Sequence, residues 1–205
     1  RRGDLPVLLP EDQSGELAID ESSVRSIVDA MGILFSPNAP PALSFDTAAA
    51  GACADARPSP PASYCPATNT IVVDLPALTT LGAQDAEGGL ASGDNVAYSV
   101  LVSRYMQAIQ HERGGVALDN AEAALRTACL TGVATVKMSK QVTTPDGATI
   151  ALTAGDVDEA VSGLLTNGLA ASDVNGESVP SGFSRIDAFR VGVLGDTDRC
   201  FARFR

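Results

Sequence analysis

The chain has 205 residues, 45% of them hydrophobic and 19% charged, which is the composition of an ordinary globular protein large enough for one sizeable core. Its formal net charge of -11 and its lack of a basic run argue against binding to nucleic acid or to an anionic membrane surface, because phosphate recognition needs clustered Lys and Arg. No apolar stretch reaches the roughly 18 residues needed to cross a bilayer, and the first residues lack the layout of a signal peptide.

Residues 1–19 carry no strong periodic pattern, and we expect them to form an extended segment. The sequence opens abruptly at Arg1-Arg2-Gly3. We therefore expect residues 1–205 to be a single domain excised from a longer exported or membrane-anchored protein. Any attachment to a membrane would lie outside these residues.

Apolar residues recur at helical spacing in several stretches. We predict helices at residues 20–31, 93–110, 118–140, 153–169 and 183–192. Gly32 should end the first helix, Asp94 or Asn95 should cap the second, and Asp119 the third. Thr153 starts the fourth with a capping-box arrangement. The second helix is mostly apolar and should be core, whereas the third has a stripe of small residues that permits close packing.

The segment 36–66 is rich in proline and should contain little regular structure beyond a short strand at Ala42–Phe45. The β-branched run Ile71–Val73 is the best strand in the sequence. A further turn is predicted at residues 145–147, Pro-Asp-Gly.

Four cysteines without a CxxC pair favour disulfides over a metal site. Cys53 and Cys65 bracket a proline-rich loop whose closure by a local bridge would be worth roughly 3 kcal/mol. Cys129 would then pair with Cys200, tying a helix to the C-terminus. Four cysteines allow three pairings, and the alternative is four buried free thiols in a cytosolic protein.

Several short motifs occur in a fixed order between residues 20 and 200. They are Tyr64-Cys65-Pro66, the strand 71–74 ending in Asp, Gly93-Asp94 before an apolar helix with Gln110, Cys129 followed by Gly132, Gly155-Asp156, and Gly195-Asp196 before Cys200. In this order they resemble the bacterial neutral zinc metallopeptidase family. The resemblance implies a mainly helical α+β, zincin-like metallopeptidase fold with a small β-sheet, in an exported or anchored protein.

The zinc ligands of that family have no counterpart in this chain. Aligned through the glutamine, the family's HExxH falls on residues 103–107, where Ser103, Arg104 and Gln107 replace the two histidines and the glutamate. Ala124 replaces the third ligand, and Ala128 replaces the Asp that follows it. Zinc needs imidazoles at i and i+4 and a nearby carboxylate base. The resemblance therefore implies a degenerate site without metal, cofactor or catalytic residues.

The degenerate positions, together with Tyr105, Gln110 and Arg126, are candidates for lining a residual cleft that binds a peptide or a small polar ligand. The alternative is a purely structural role. In that case Arg104 would pair with an acid, and Gln107 would hydrogen-bond the neighbouring helix.

Two other groups of polar residues are candidates for binding a metal ion. His111, the only histidine, precedes Glu112 at the end of a helix, and we interpret it as an exposed residue rather than a metal ligand. Asp156, Asp158 and Glu159 lie at a helix start, where carboxylates stabilise the helix dipole. A calcium site there is the alternative.

These observations support a non-catalytic, extracytoplasmic domain that binds an envelope protein or a peptide. The competing hypothesis is an active metal-dependent peptidase with unconventional ligands. A third is a domain that only spaces or stabilises a larger membrane protein.

Overall fold

A computed structural model of the chain describes residues 7–8, 18–83, 93–152 and 154–205. Within these ranges the protein is a mainly helical α+β domain, as predicted. The helices are α1 (Glu21–Phe35), α2 (Ala48–Gly51), α3 (Leu75–Ala83), α4 (Asp94–Arg113), α5 (Ala121–Met138), α6 (Ala154–Thr166), α7 (Gly182–Val193) and α8 (Thr197–Arg203). The strands are β1 (Val7–Leu8), β2 (Ala42–Ser44), β3 (Ala62–Cys65), β4 (Thr70–Val73), β5 (Val142–Thr143) and β6 (Thr149–Ile150).

Helix α4 is the centre of the molecule and is buried on nearly every side. It packs against α1, α3, α5, α6 and β3. Such a position requires mostly apolar or small side chains together with hydrogen-bond partners for the buried polar ones, which here are Asn95, Arg104, Gln107 and Gln110. Its cap is Gly93 rather than the expected Asp94 or Asn95, and the Glu159 carboxylate accepts from the Asn95 amide at this end. Residue 93 must be glycine, because its φ is +132° and a Cβ there would lie 2.1 Å from the carboxylate of Glu159.

Helices α5 and α7 pack closely, as the small residues of α5 indicate. A Cβ at Gly132 of α5 would lie 2.2 Å from the carbonyl oxygen of Phe189, and one at Gly192 of α7 would lie 1.8 Å from that of Cys129. The backbones therefore meet where both helices lack side chains. The cap of α5 is Asn120, whose side chain accepts from the Ala123 amide, and not Asp119.

The strands form two small three-stranded sheets instead of the single sheet expected. One has the order β1-β6-β5 and is antiparallel. The other has the order β2-β4-β3, with β2 parallel and β3 antiparallel to β4. The predicted strands at 42–45 and 71–73 correspond to β2 and β4. Strand β1 belongs to the segment 1–19, most of which lies outside the described residues.

Several predicted boundaries need correction. Helix α1 continues through Gly32 to Phe35, because the left-handed turn that ends it is at Ser36, whose amide donates to the Gly32 carbonyl. The proposed cap Thr153 lies outside the described residues. The expected apolar face of α6 is only partly buried, since Leu165 is 47% exposed and Leu169 lies in a separate 3-10 turn.

Both favoured disulfides, Cys53–Cys65 and Cys129–Cys200, are present, and no cysteine is free. The first closes the proline-rich loop onto β3, and the second ties α5 to α8. The alternative of four free thiols is therefore wrong. Among the described residues, no helix combines the length and the apolar character that a membrane span requires.

Candidate functional site

Helices α4 and α5, which carry the positions aligned with the zinc ligands of that family, pack against each other. Gln110 of α4 joins them through both ends of its amide. Its Nε2 donates to Thr127 Oγ1 at 2.8 Å, and its Oε1 accepts from Arg126 Nε at 2.8 Å. All three residues are buried, so the two helices are joined by polar contacts inside the core.

Arg104 is the largest side chain at the degenerate positions, and none of its surface is exposed. Its Nε donates to the Ala62 carbonyl at 2.6 Å, and its Nη1 donates to the Leu169 carbonyl and to the hydroxyls of Ser172 and Ser103. Burial lowers the pKa of Arg104 to about 10, and the charge of Asp173 partly opposes this shift. The guanidinium is therefore a cation at neutral pH, held by neutral oxygens.

The expected ion pair of Arg104 is absent: no carboxylate of the described residues lies within ion-pair distance of it. Gln107 also differs from the expectation. Its Nε2 donates to the carbonyls of Ser172 and Asp173, both at 3.0 Å, rather than to a neighbouring helix. Both side chains thus hold the segment that follows the 3-10 turn Leu169–Ala171 against α4.

Ala124 and Ala128 of α5 are fully buried, and Ser103 donates its hydroxyl to the Val100 carbonyl of its own helix. None of these groups is an imidazole, a thiolate or a carboxylate, the ligands that zinc prefers. A neighbouring guanidinium would also repel a cation. The five degenerate positions are therefore buried in the core and carry none of these ligands.

The candidate cleft residues do not converge on one cleft. Gln110 and Arg126 belong to the buried contact between α4 and α5, where Arg126 also donates to the carbonyls of Phe204 and Ala117. Burial lowers the pKa of Arg126, and the charge of Glu122 opposes the shift. Tyr105 points elsewhere, into a pocket beside α1. Tyr105 and Gln110 are five positions apart on α4, a rotation of roughly 140° about the helix axis, so their side chains lie on different faces.

Two of the acidic residues at the start of α6 lie beside Asp94, a residue that the sequence analysis did not group with them. Asp94 of α4, Asp156 and Glu159 have carboxylate oxygens within 4.8 Å of one another. Asp158, the third expected member, is exposed and lies outside this group. Glu159 accepts from the Asn95 amide, so its carboxylate lies at the N-terminus of α4 and not, as expected, at that of its own helix α6.

His111 is exposed, as expected, and its Nδ1 lies 2.9 Å from the Tyr64 hydroxyl. Glu112, its neighbour, accepts from the backbone amides of Asn38 and Ala39. These two residues therefore connect the end of α4 to β3 and to the loop that follows α1.

One feature was missed by sequence reasoning, the pocket into which Tyr105 points. It lies between α1 and the loop of Pro37, Pro40 and Pro41, and Asp29 also lines it. The proline-rich composition of this loop was the available signal, but it indicated only irregular structure.

The fold and this site therefore define a disulfide-bonded, mainly helical α+β domain with a central helix buried in the core. No family model, no curated protein and no solved structure matches this chain. The resemblance to the zinc metallopeptidases therefore stays a prediction.

Proposed function

We propose that this chain is a non-catalytic, extracytoplasmic domain of the bacterial cell envelope, built on a zincin-like metallopeptidase frame, that binds a protein or a peptide. The single observation that carries the proposal is the environment of Arg104. A buried guanidinium with no ion-pair partner among the described residues stands where the family has the glutamate base. Its positive charge opposes both the binding of a metal ion and proton abstraction from water.

Two further features support the proposal. Disulfides form and persist in oxidising compartments, and this chain has two. The net charge of -11 favours a protein or peptide partner over nucleic acid.

Metal analysis of the purified protein, combined with a hydrolysis assay on casein and short peptides, tests this proposal. We expect substoichiometric zinc, no hydrolysis, and a melting temperature that a chelator does not change. Stoichiometric zinc that is lost on changing Ser103 or Gln107 to Ala would overturn the proposal and favour an active peptidase. Asp187→Asn, a change outside this region, is the matched control.

The binding half of the proposal needs its own measurement. The immobilised protein should capture a partner from an extract of the cell envelope, and the Arg57→Ala variant, an exposed change, should capture the same partner. Recovery of no partner by either protein would mean that the domain is only a spacer.

A further inference from the structure

A pocket of about 340 Å³ lies between α1, the loop that follows it, α4 and the turn of the β5–β6 hairpin. This volume is at the small end of ligand pockets, which span roughly 300–1,000 Å³. Most of the wall is apolar and rich in proline. The apolar lining residues are Val28, Ile33, Pro37, Pro40, Pro41 and Pro145.

One of the lining residues, Tyr105, carries a buried hydroxyl group. Tyr105 is only 1% exposed, and its hydroxyl has no hydrogen-bond partner among the described residues. A Cβ built at Gly32, another lining residue, would lie 3.5 Å from the hydroxyl oxygen. Burial raises the pKa of Tyr105 to about 12, and the charges of Glu112 and Asp29 add to the shift. The group is therefore a neutral phenol, and a bound molecule that supplies a hydrogen-bond donor would satisfy its oxygen.

The charge around the pocket is negative. Among the residues that line the pocket, Asp29 is the charged one, and it is exposed. Desolvation and the nearby charge of Asp146 both raise the pKa of Asp29, and Arg25 partly opposes them. Arg25 itself lies 3.7 Å from Glu21 and does not line the pocket. A positive group entering here would thus meet a carboxylate without competition from a lining cation.

We propose that this pocket receives a lysine side chain of a protein partner, with the ammonium bound by the Tyr105 hydroxyl and the Asp29 carboxylate and the aliphatic stem packed against the prolines. The inference rests on the proposed function, because it names the chemistry of the partner that the domain binds. An ammonium is a compact donor of three hydrogen bonds on a four-carbon apolar stem. Those two parts match a buried oxygen, an exposed carboxylate and an apolar wall.

Arginine and neutral side chains fit the same surface less well. A guanidinium binds best to two oxygens side by side, as in one carboxylate. Here the hydroxyl and the carboxylate belong to two different residues, so they do not offer the paired oxygens of one carboxylate. A neutral chain of the same length would fill the apolar wall but would leave the Tyr105 hydroxyl unbonded.

The experiment is a titration of the full chain with N-acetyl-Gly-Lys-Gly-amide, followed by NMR shifts of the amides of residues 28–33. The matched peptides carry norleucine, which keeps the stem without the charge, or arginine. We expect the arginine peptide to bind about tenfold more weakly than the lysine peptide, the loss of one charge-assisted hydrogen bond. The norleucine peptide loses both hydrogen bonds and should bind about 25- to 100-fold more weakly. Asp29→Asn and Tyr105→Phe should each weaken the lysine peptide by about five- to tenfold. Asp158→Asn, an exposed change on α6, should change the affinity by less than about twofold.

Binding of the norleucine or arginine peptide as tightly as the lysine peptide would overturn the inference, as would full affinity in Asp29→Asn. Tyr105→Phe removes a hydroxyl that has no partner, so its melting temperature should not fall, and its binding can be measured on folded protein. If no peptide binds while the protein is free of zinc and inert, this inference fails and the proposed function stands. Stoichiometric zinc or hydrolysis would defeat the proposed function instead, whatever the pocket binds.

Discussion

Arg104 is a charged residue that the core of this protein accommodates through neutral acceptors. Its guanidinium reaches the Ala62 carbonyl across 42 positions of sequence and Ser172 across 68. Each of these acceptors would lose its donor if the side chain were shortened or made apolar. A buried carbonyl that loses its partner costs about 1–3 kcal/mol. Arg104 thus acts as a connection between β3, α4 and the segment after the 3-10 turn.

We expect Arg104→Met, which keeps the stem and removes the donors, to lower the free energy of unfolding by about 2–4 kcal/mol. Urea denaturation measures the change. Arg57→Met is the control, because Arg57 forms an exposed ion pair with Glu177 and should lose less than about 1 kcal/mol. Equal losses in the two variants would contradict the assigned role.

Glu112 gives a prediction about pH. Hydrogen bonds from the Asn38 and Ala39 amides lower its pKa, against a small opposing effect of desolvation. A carboxylate with a lowered pKa stabilises the fold above its unfolded pKa of about 4.3, and this contribution is lost as pH falls through the folded value. Glu112→Gln should therefore be less stable than the native chain at pH 7, and the difference should disappear near pH 3.

The measurement is the urea midpoint of both proteins between pH 7 and pH 3. The difference should be small, because the carboxylate is exposed to solvent and screened. Asp187→Asn, whose side chain makes no hydrogen bond or ion pair within the described part of the chain, should follow the native curve throughout. A gap for Glu112→Gln that widens toward pH 3 would show that the sign is wrong.

At the scale of elements, the packing of α5 on α7 depends on two glycines that face the partner backbone. We expect Gly132→Ala to lower the free energy of unfolding by at least about 1–3 kcal/mol, because the new methyl group would meet the Phe189 carbonyl, which cannot rotate away. Chemical denaturation and the melting temperature report the loss. Gly51→Ala, where a Cβ meets no atom within 4 Å, should be neutral or slightly stabilising. A Gly132→Ala variant as stable as the native chain would mean that the helices separate at little cost.

The longest helices and the strands β2 and β4 were predictable from the sequence, but several other short elements were not. Helices α1, α4 and α5 are long, and their apolar residues recur at helical spacing, so the sequence alone predicts them. Strand β3 and helix α8 have four and seven residues. Elements of that length are marginal alone and form because tertiary contacts hold them, here the pairing of β3 with β4 and the Cys129–Cys200 bridge.

The helix caps and the candidate site residues show the same limit of prediction from sequence. Asp119 and Asn120 are equally good caps in sequence, and only the start of α5 decides between them. The candidate site residues were placed correctly on α4 and α5, but their partners were not. Arg104 binds carbonyls far away in the chain, and Tyr105 faces a pocket whose other walls come from α1 and a loop. Contacts between distant backbone segments leave no periodic signal.

At the scale of the whole molecule, the two disulfides constrain the unfolded chain to different degrees. The Cys53–Cys65 bridge spans 12 positions, and the Cys129–Cys200 bridge spans 71. In the chain-entropy model the longer loop stabilises by about 4 kcal/mol and the shorter by about 3 kcal/mol. Burial acts in the same direction, because Cys129 and Cys200 are both fully buried whereas Cys53 is partly exposed.

We therefore expect the double variant Cys129→Ala/Cys200→Ala to lose more stability than Cys53→Ala/Cys65→Ala. The longer bridge also anchors α8, so its loss should free the C-terminal residues to exchange their amide protons. For a chain of this size, about 4 kcal/mol corresponds to a fall in melting temperature of roughly 8–16 °C. Calorimetry of both double variants, with hydrogen exchange at residues 197–203, measures the two effects. A larger fall in the Cys53→Ala/Cys65→Ala protein would mean that strain or residual unfolded structure, and not loop length, governs how these bridges stabilise the domain.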